Sequence, residues 1–288
     1  MFKNLSPGAI GIRGYSLAQS IELAQQSGFG GIDFNIREAA TLADEHGLPW
    51  VKRLFAEAGV RPGQWGLPVA WTKDDQWQAD LAELPKLAAL GRELGCTRTA
   101  TWVTPSYDNM NFDAAWRWHV ARFRPIAQVL DDYGCCLGLE FIGPKTSRDR
   151  RAYPFVYTLG GMMAMASEIG TGNVGLLLDA WHLYTSGGAN DDLDSIAAKD
   201  VVTVHVNDAP AGVAVNDQID NIRRLPMETG VIDLPGFMRK LALMGYDGPI
   251  TPEPFSQRAN ELAAQNPLAA AQLVAEYMDK LWRAAGLQ

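Results

Sequence analysis

The chain is poor in cysteine, in long apolar runs and in positive charge. It has only 3 cysteines, two of them adjacent, so a disulfide framework is not expected and a reducing, cytoplasmic compartment is favoured. No stretch approaches the ~20 apolar residues of a membrane helix, and no apolar signal-peptide core follows Met1. The formal net charge of −8 argues against a nucleic-acid partner, which would favour a basic surface. We therefore expect a soluble globular chain that acts without nucleic acid or membrane.

Segments typical of strands alternate with segments typical of helices along the whole chain. The predicted strands are Ala9–Tyr15, Gly31–Asn35, Gln64–Trp71, Thr97–Val103 and four more that end at Glu140, Asp179, His205 and Glu253. Strict alternation implies parallel strands, and eight strand–helix units in 288 residues fit a closed (β/α)8 TIM barrel. No linker-like stretch divides the chain, so one domain over residues 1–288 is expected. An open doubly wound sheet is the alternative fold.

The last four predicted strands each end in a residue type that binds metals. These residues are Glu140, Asp179, His205 and Glu253. The carboxyl ends of barrel strands meet at one mouth, so a shared divalent cation would stabilise charges that are costly to bury alone. Three carboxylates and one histidine form an oxygen-rich set that suits Mn²⁺ first, with Mg²⁺, Co²⁺ and Zn²⁺ as alternatives. For any single residue, capping a helix or pairing with an arginine is the other interpretation.

Two residues follow these strand ends at a spacing of three. His182 comes three residues after Asp179 in an expected loop, where it either donates to a substrate hydroxyl or is satisfied by backbone groups. Asp208 comes three residues after His205. It is interpreted either as an acceptor that supports the ring of His205 or as a cap for the segment that follows.

Other candidates for substrate binding lie on the connections between elements. Arg223 belongs to a long connection after the seventh strand, and such connections are often functional. It either reaches ligand oxygens or forms a solvated surface pair with Arg224. Trp102 and Trp181 fall near strand ends, where their rings would stack on a sugar or pack the rim of the barrel.

The strand-end segments resemble a known superfamily, the xylose-isomerase-like (β/α)8 barrels of sugar and sugar-phosphate isomerases and epimerases. The resemblance rests on Gly138–Phe141, Leu178–His182, Val204–Asp208 and Pro252–Pro254. The segment Pro226–Asp233 is similar to the superfamily's P-G-x-G-x-[IV]-D run, but it lacks the first glycine and carries one extra residue. These motifs lie in the second half of the chain and are specific for the superfamily rather than for a substrate.

The ketose 3-epimerases and inosose isomerases of this superfamily imply a role for each matching residue. By resemblance, one divalent metal is bound by four residues: Glu140, Asp179, His205 and Glu253. Glu140 and Glu253 would also form the catalytic acid–base pair, His182 and Arg223 would contact substrate oxygens, and a homodimer or homotetramer is implied. A metal that holds a carbonyl and the adjacent hydroxyl acidifies the C–H between them. Two carboxylates can then move that proton through a cis-enediolate.

The expected function is therefore a metal-dependent isomerase or epimerase of a sugar or cyclitol. A dehydratase of the same fold, acting on an inosose or dehydroshikimate, is the alternative because both reactions begin with the same proton abstraction. A related AP-endonuclease-like hydrolase with three zinc ions would need more histidines than the 4 in this chain. A sugar-binding barrel without activity would not need two carboxylates beside its ligand. No dedicated phosphate motif is visible, which favours a free sugar over a phosphorylated one.

Overall fold

The computed structural model, which describes residues 1–287, contains a closed barrel of parallel strands wrapped by helices. The strands are β1 (Phe2–Leu5), β2 (Gly31–Phe34), β3 (Arg61–Gly66), β4 (Arg98–Trp102), β5 (Ser106–Tyr107), β6 (Cys136–Glu140), β7 (Tyr153–Pro154), β8 (Val174–Asp179), β9 (Val201–Val206) and β10 (Pro249–Pro252). All but β5 and β7 pair in this order, and β10 pairs with β1 to close the ring. The predicted (β/α)8 barrel is confirmed, and the open doubly wound sheet is excluded.

Helices cover the outside of the barrel. They are α1 (Leu17–Ser27), α2 (Ile36–His46), α3 (Leu48–Ala58), α4 (Trp77–Glu93), α5 (Phe112–Asp132), α6 (Lys145–Arg148), α7 (Leu159–Ile169), α8 (Ala180–Thr185), α9 (Leu234–Leu243), α10 (Gln257–Gln265) and α11 (Pro267–Ala285). Their ends follow local chemistry: Ser16 and Gln19 form a capping box before α1, and Gly28 ends it with a φ of +81°. Among residues 1–287, no helix combines the length and the apolar character that a membrane crossing requires.

The first strand lies closer to the N-terminus than predicted. The apolar segment Ala9–Tyr15 is not a strand, because a short 3-10 helix occupies Pro7–Ile10 and Gly11 ends it with a φ of +87°. The true strand, β1, is hard to recognise because it contains polar residues. Asn4 is fully buried and donates a 2.5 Å hydrogen bond to Asp33 on β2, so its polar group belongs to the barrel interior.

Strand alternation directs the ligand-bearing side chains toward the barrel interior. Along β6, Leu137 and Leu139 are fully buried among the apolar core residues, and Glu140 lines the cavity at the barrel mouth. This is the orientation that period-two alternation predicts. Asp179 on β8 lies directly opposite His205 on β9 in the strand register. Neighbouring strands thus bring these two candidate metal ligands to the same level in the barrel.

β5 and β7 form a short antiparallel pair outside the barrel, which we call the rim ribbon. It joins the connection that follows β4 to the connection that follows β6. Tyr107 of the ribbon places its hydroxyl 3.0 Å from Nε2 of His119 on α5. Phe155, just after the ribbon, stacks on the same imidazole with ring centroids 4.6 Å apart. Buried aromatic contacts therefore attach the ribbon to α5.

Candidate metal centre

Four side chains from four adjacent barrel strands converge at the mouth. They are Glu140, Asp179, His205 and Glu253, and we call them the ligand cluster. Each offers one potential ligand atom, and these atoms all lie within 4.8 Å of one another. Nδ1 of His205 is 3.5 Å from Oε2 of Glu253 and 3.8 Å from Oε1 of Glu140. The predicted convergence is therefore present, while the role of the four residues as metal ligands stays a prediction.

The ligand cluster has the properties expected of a cation site. Oε1 of Glu140 and both ring nitrogens of His205 are buried and have no hydrogen-bond partner. Buried polar atoms without partners are costly, and a divalent cation among them would satisfy the glutamate oxygen and one of the two ring nitrogens. Three carboxylates with one imidazole also match the donor preferences of such ions. The residues present thus fit a single divalent metal.

The pKa values of the two glutamates are displaced in opposite directions. Burial, reinforced by the negative charge of Glu253, raises the pKa of Glu140 well above its ordinary range. Burial acts to raise the pKa of Glu253 as well, but the charges of His205 and Arg223 outweigh it and lower the pKa to about 2. Two carboxylates whose environments separate their pKa values are suited to opposite roles in proton transfer.

Arg223 is part of the site and does not form a solvated surface pair. Its side chain is only 2% exposed, and Nη1 lies 2.8 Å from Asp179 and 3.0 Å from Glu253. Nη2 lies 2.8 Å from Asp220 in the same connection, a residue that the sequence did not mark. The guanidinium also lines the cavity. Arg223 can therefore both neutralise the ligand cluster and contact a bound molecule.

His182 lies in helix α8 rather than in the expected loop. Asp179 begins this helix by accepting a 2.7 Å hydrogen bond from the backbone N–H of Trp181. The backbone N–H of Gly143 donates to Nδ1 of His182 at 3.1 Å, which places the proton of a neutral ring on Nε2. Burial lowers the pKa of His182 to about 3, so the ring is neutral at physiological pH. Nε2 lies 3.2 Å from Nη2 of Arg223, and both residues line the cavity, so a bound ligand oxygen would meet two neighbouring N–H groups there.

Asp208 does not support the ring of His205. Its carboxylate accepts hydrogen bonds from the backbone N–H groups of Thr229, Gly230 and Ile232 at 2.9, 2.7 and 3.1 Å. Of the two interpretations, the one that assigns Asp208 to the segment that follows agrees with these contacts. The reason is geometric, because the connection after β9 folds back over the strand end and brings its own N–H groups to the carboxylate.

The two tryptophans predicted near the substrate lie in different environments. Trp102 is 51% exposed and lines the cavity, as a residue that contacts substrate should. Trp181 is fully buried and does not line the cavity, so its assignment to substrate contact is corrected. The first turn of α8 directs its ring inward, and the guanidinium of Arg223 lies 5.3 Å from the ring centroid. Trp181 therefore supports Arg223 from within the core.

The cavity in front of the ligand cluster has a volume of about 440 Å³. This volume is within the range of small-molecule sites. The sequence did not predict several of its walls, which come from the rim ribbon, the loops beside it and the connections after β9 and β10. They include Ser106, Arg150, Arg151, Asn221 and Phe255. The sequence signal was weak, since only the closely spaced arginines after β6 stood out from an ordinary polar loop.

A polar group in the barrel interior was also missed. Asp33 on β2 accepts hydrogen bonds from Asn4 at 2.5 Å and from Gln64 at 3.0 Å. Burial raises the pKa of Asp33 to about 6, although the nearby charge of His205 acts to lower it. The available signal was an aspartate between apolar neighbours in β2, which alternation turns toward the barrel.

Comparison with known proteins places this arrangement among related barrels. A family model described as xylose isomerase-like TIM barrel matches residues 19–281. An inosose isomerase of Halalkalibacterium halodurans is 25% identical over 150 residues, covering 51% of this chain and 49% of that protein. The chain thus matches about half the length of this curated relative.

Solved structures extend the likeness to the whole chain. A xylose isomerase domain protein from Alicyclobacillus acidocaldarius has 31% identity and a TM-score of 0.86, with 99% of each chain covered. The IolI protein, whose structure contains a bound zinc atom, has 18% identity and a TM-score of 0.77, also over 99% of each chain. At that identity the second likeness shows the fold alone.

Proposed function

Because the chain belongs to the xylose isomerase-like TIM barrel family, we propose that it is a divalent-metal-dependent isomerase or epimerase of a sugar or cyclitol. The inosose isomerase among its relatives supports an enzyme that acts on a small polyhydroxylated ketone. The ligand cluster supports one metal per chain. Mn²⁺ suits the oxygen-rich donor set first, and the zinc bound by the IolI protein makes Zn²⁺ the nearest competitor.

The observation that carries this proposal is the pair Glu140 and Glu253. Both carboxylates line one cavity, and their pKa values are displaced in opposite directions. A sugar-binding protein without activity has no need for such a pair, whereas proton transfer at carbon needs one group that accepts and one that returns the proton.

In the proposed reaction, the ligand cluster would hold a divalent metal that would supply Lewis acidity toward the substrate carbonyl. Glu253, whose carboxylate lies 3.0 Å from the guanidinium of Arg223, accepts the proton from the carbon beside the carbonyl. Glu140 returns a proton to the other face or to the neighbouring carbon of the cis-enediolate. Nε2–H of His182 donates to a substrate oxygen and limits the positions that the enediolate can adopt.

The test is solvent exchange in D₂O with the metal-loaded protein and a set of ketoses and inososes. We expect deuterium on the carbon beside the carbonyl, together with an inverted stereocentre or a moved carbonyl. Chelated protein and the Asp179→Asn variant serve as controls and should not exchange. A product with a new C=C bond, or its keto tautomer, would instead identify a dehydratase. Metal-loaded protein that exchanges no proton into any of these compounds contradicts the proposal.

A further inference from the structure

The cavity has an acidic inner end and a basic outer end. The inner end is formed by the ligand cluster, which is largely buried. At the outer end Arg150 and Arg151 line the same cavity and are exposed. Within the described part of the chain, neither guanidinium lies within 4.0 Å of a carboxylate, in contrast to Arg223, which contacts three. Two exposed arginines with no carboxylate within 4.0 Å thus line the site.

The rim ribbon holds these arginines in place. They immediately precede β7, which pairs with β5, so the segment is tied to the connection after β4. Nη1 of Arg151 lies 3.4 Å from the backbone oxygen of Ser106, and the hydroxyl of Ser106 lies 3.4 Å from the backbone oxygen of Ser147. Ser106 and Ser147 line the cavity too. The segment that carries the two arginines is therefore held to the cavity wall by strand pairing and hydrogen bonds.

In contrast to the free sugar that the sequence favours, we infer that the substrate carries an anionic oxygen group, a phosphate or a carboxylate, at the end remote from its reacting carbonyl, and that Arg150 and Arg151 bind it. The inference rests on the proposed function, because it names the substrate class of the same cavity. Guanidinium groups pair with phosphate and carboxylate oxygens through charge-assisted, often bidentate hydrogen bonds. A cavity of about 440 Å³ accommodates both the reacting carbons and such a group.

Charge distribution favours this orientation over the reverse. An anionic group placed at the ligand cluster would face Glu140, Asp179 and Glu253, and like charges at short distance repel. At the outer end the same group meets two arginines and the amide of Asn221. The chain as a whole has a net charge of −8 and repels anions. Two arginines that line one cavity of such a chain therefore favour a local role in binding an anion.

The test measures binding of inorganic phosphate and, separately, of acetate to the metal-loaded full chain by titration calorimetry. The variants are Arg150→Ala, Arg151→Ala and the double variant, with Arg→Lys at both positions as the conservative pair. Lys145→Ala is the matched control, since it removes one positive charge from the same segment at an exposed residue that does not line the cavity. Both anions are titrated at low and at high salt.

We expect one anion to bind the wild type and the double alanine variant to bind it about tenfold or more weakly, as charged hydrogen bonds of this kind predict. Lys145→Ala should change the affinity less than about twofold, and salt should weaken binding. Preference for phosphate identifies a phosphorylated substrate, and preference for acetate identifies a sugar acid. If neither anion binds the wild type more tightly than the double variant, the inference is wrong.

Failure of this inference is separable from failure of the proposed function. Glu140→Gln should lose deuterium exchange but keep anion binding that depends on Arg150 and Arg151. Exchange into neutral ketoses with no such anion binding overturns the inference and leaves the proposed function standing. Anion binding without exchange into any ketose, neutral or anionic, overturns the proposed function and leaves the anion site.

Discussion

At the residue scale, Arg223 occupies the position that matters most for the charge of the ligand cluster. It is buried and contacts Asp179 and Glu253, two of the carboxylates that a cation would also contact. Its guanidinium lies between the rings of Trp181 and Phe255, with its carbon 5.3 and 4.9 Å from their centroids. The arginine therefore limits the repulsion among acidic side chains that the fold forces together.

Replacing either glutamate of the acid–base pair should separate catalysis from metal binding. Glu140→Gln and Glu253→Gln keep the size of the side chain and one oxygen ligand but remove the titrating group. We expect turnover to fall by at least about 10²–10⁴-fold while metal content is retained. Steady-state kinetics and elemental analysis check this, with exposed Glu276→Gln as the control. A fully metallated Glu253→Gln protein with normal turnover would show that Glu253 is only a ligand.

Removing the arginine should cost stability in a metal-dependent way. Arg223→Ala leaves Asp179 and Glu253 without their buried counter-charge, so we expect the free energy of unfolding to fall by about 3–5 kcal/mol in the presence of chelator. Added Mn²⁺ should reduce this loss because the cation supplies positive charge to the same carboxylates. Denaturant unfolding with and without metal measures it. Arg224→Ala is the neighbouring control, and an equal loss for both variants would contradict the expectation.

The residues whose position followed from the sequence differ from those whose contacts did not in how far their partners lie from the strand. Glu140, Asp179, His205 and Glu253 lie at or within one residue of strand ends, so period-two alternation and barrel geometry were enough to bring them together. Asp208 and Trp181 lie just beyond strand ends. Their partners depend on how a connection folds back or how a helix begins, and residue type and spacing carry little of that information.

At the element scale, the rim ribbon depends on a buried histidine. His119 on α5 is fully buried, and its Nδ1 lies 2.7 Å from the backbone oxygen of Ala115 while Nε2 faces Tyr107. With both nitrogens engaged and aromatic rings around it, the imidazole has no room for a counter-ion. Burial accordingly lowers the pKa of His119 to about 4.

This shift predicts a specific pH dependence of stability. The unfolded chain protonates His119 as the pH falls through about 6.5, whereas the folded chain does so only near pH 4. The free energy of unfolding is therefore unaffected by His119 above pH 6.5. It decreases as the pH falls from 6.5 toward 4, by up to about 3 kcal/mol, because only the unfolded chain binds the proton in this range. His119→Phe should flatten the slope of unfolding free energy in this window, and exposed His46→Gln should not. An unchanged slope in His119→Phe would assign the pH dependence elsewhere.

Element boundaries show where sequence reasoning lacked information. β6 and β8 end at Glu140 and Asp179 as predicted, because each is a short apolar run ended by a carboxylate. β1 was missed because two polar residues interrupt its apolar pattern, and the rim ribbon was missed because strands of two residues have no periodicity. Both features owe their structure to partners far away in sequence.

At the scale of the whole molecule, metal binding should be linked to folding. The four ligand residues come from strands spread between residues 136 and 253, so the cluster exists only when that half of the barrel is closed. A cation that binds only the folded chain stabilises it by about 2.7 kcal/mol at a free concentration of one hundred times its Kd.

We therefore expect chelation to lower the melting temperature and Mn²⁺ to restore it in proportion to the logarithm of its concentration. His205→Ala should abolish most of the response, whereas Asp208→Asn should lower stability but keep the response, since Asp208 contacts backbone and not the cluster. Calorimetry at several metal concentrations measures this. A wild-type melting temperature that ignores Mn²⁺ would contradict the assignment of the cluster.

The rim ribbon has a consequence for how such a protein can diversify. The groups proposed for chemistry stand at barrel strand ends and on α8. One surface appendage, the rim ribbon with its flanking segments, lines the cavity with Thr104, Pro105, Ser106, Ser147, Arg150 and Arg151. That appendage touches the rest of the fold through a few aromatic rings and backbone hydrogen bonds, so its sequence can drift or be transplanted while the strands stay constant. Substitutions in this one appendage, natural or engineered, can thus change which substrates the barrel binds while the residues proposed for the reaction stay the same.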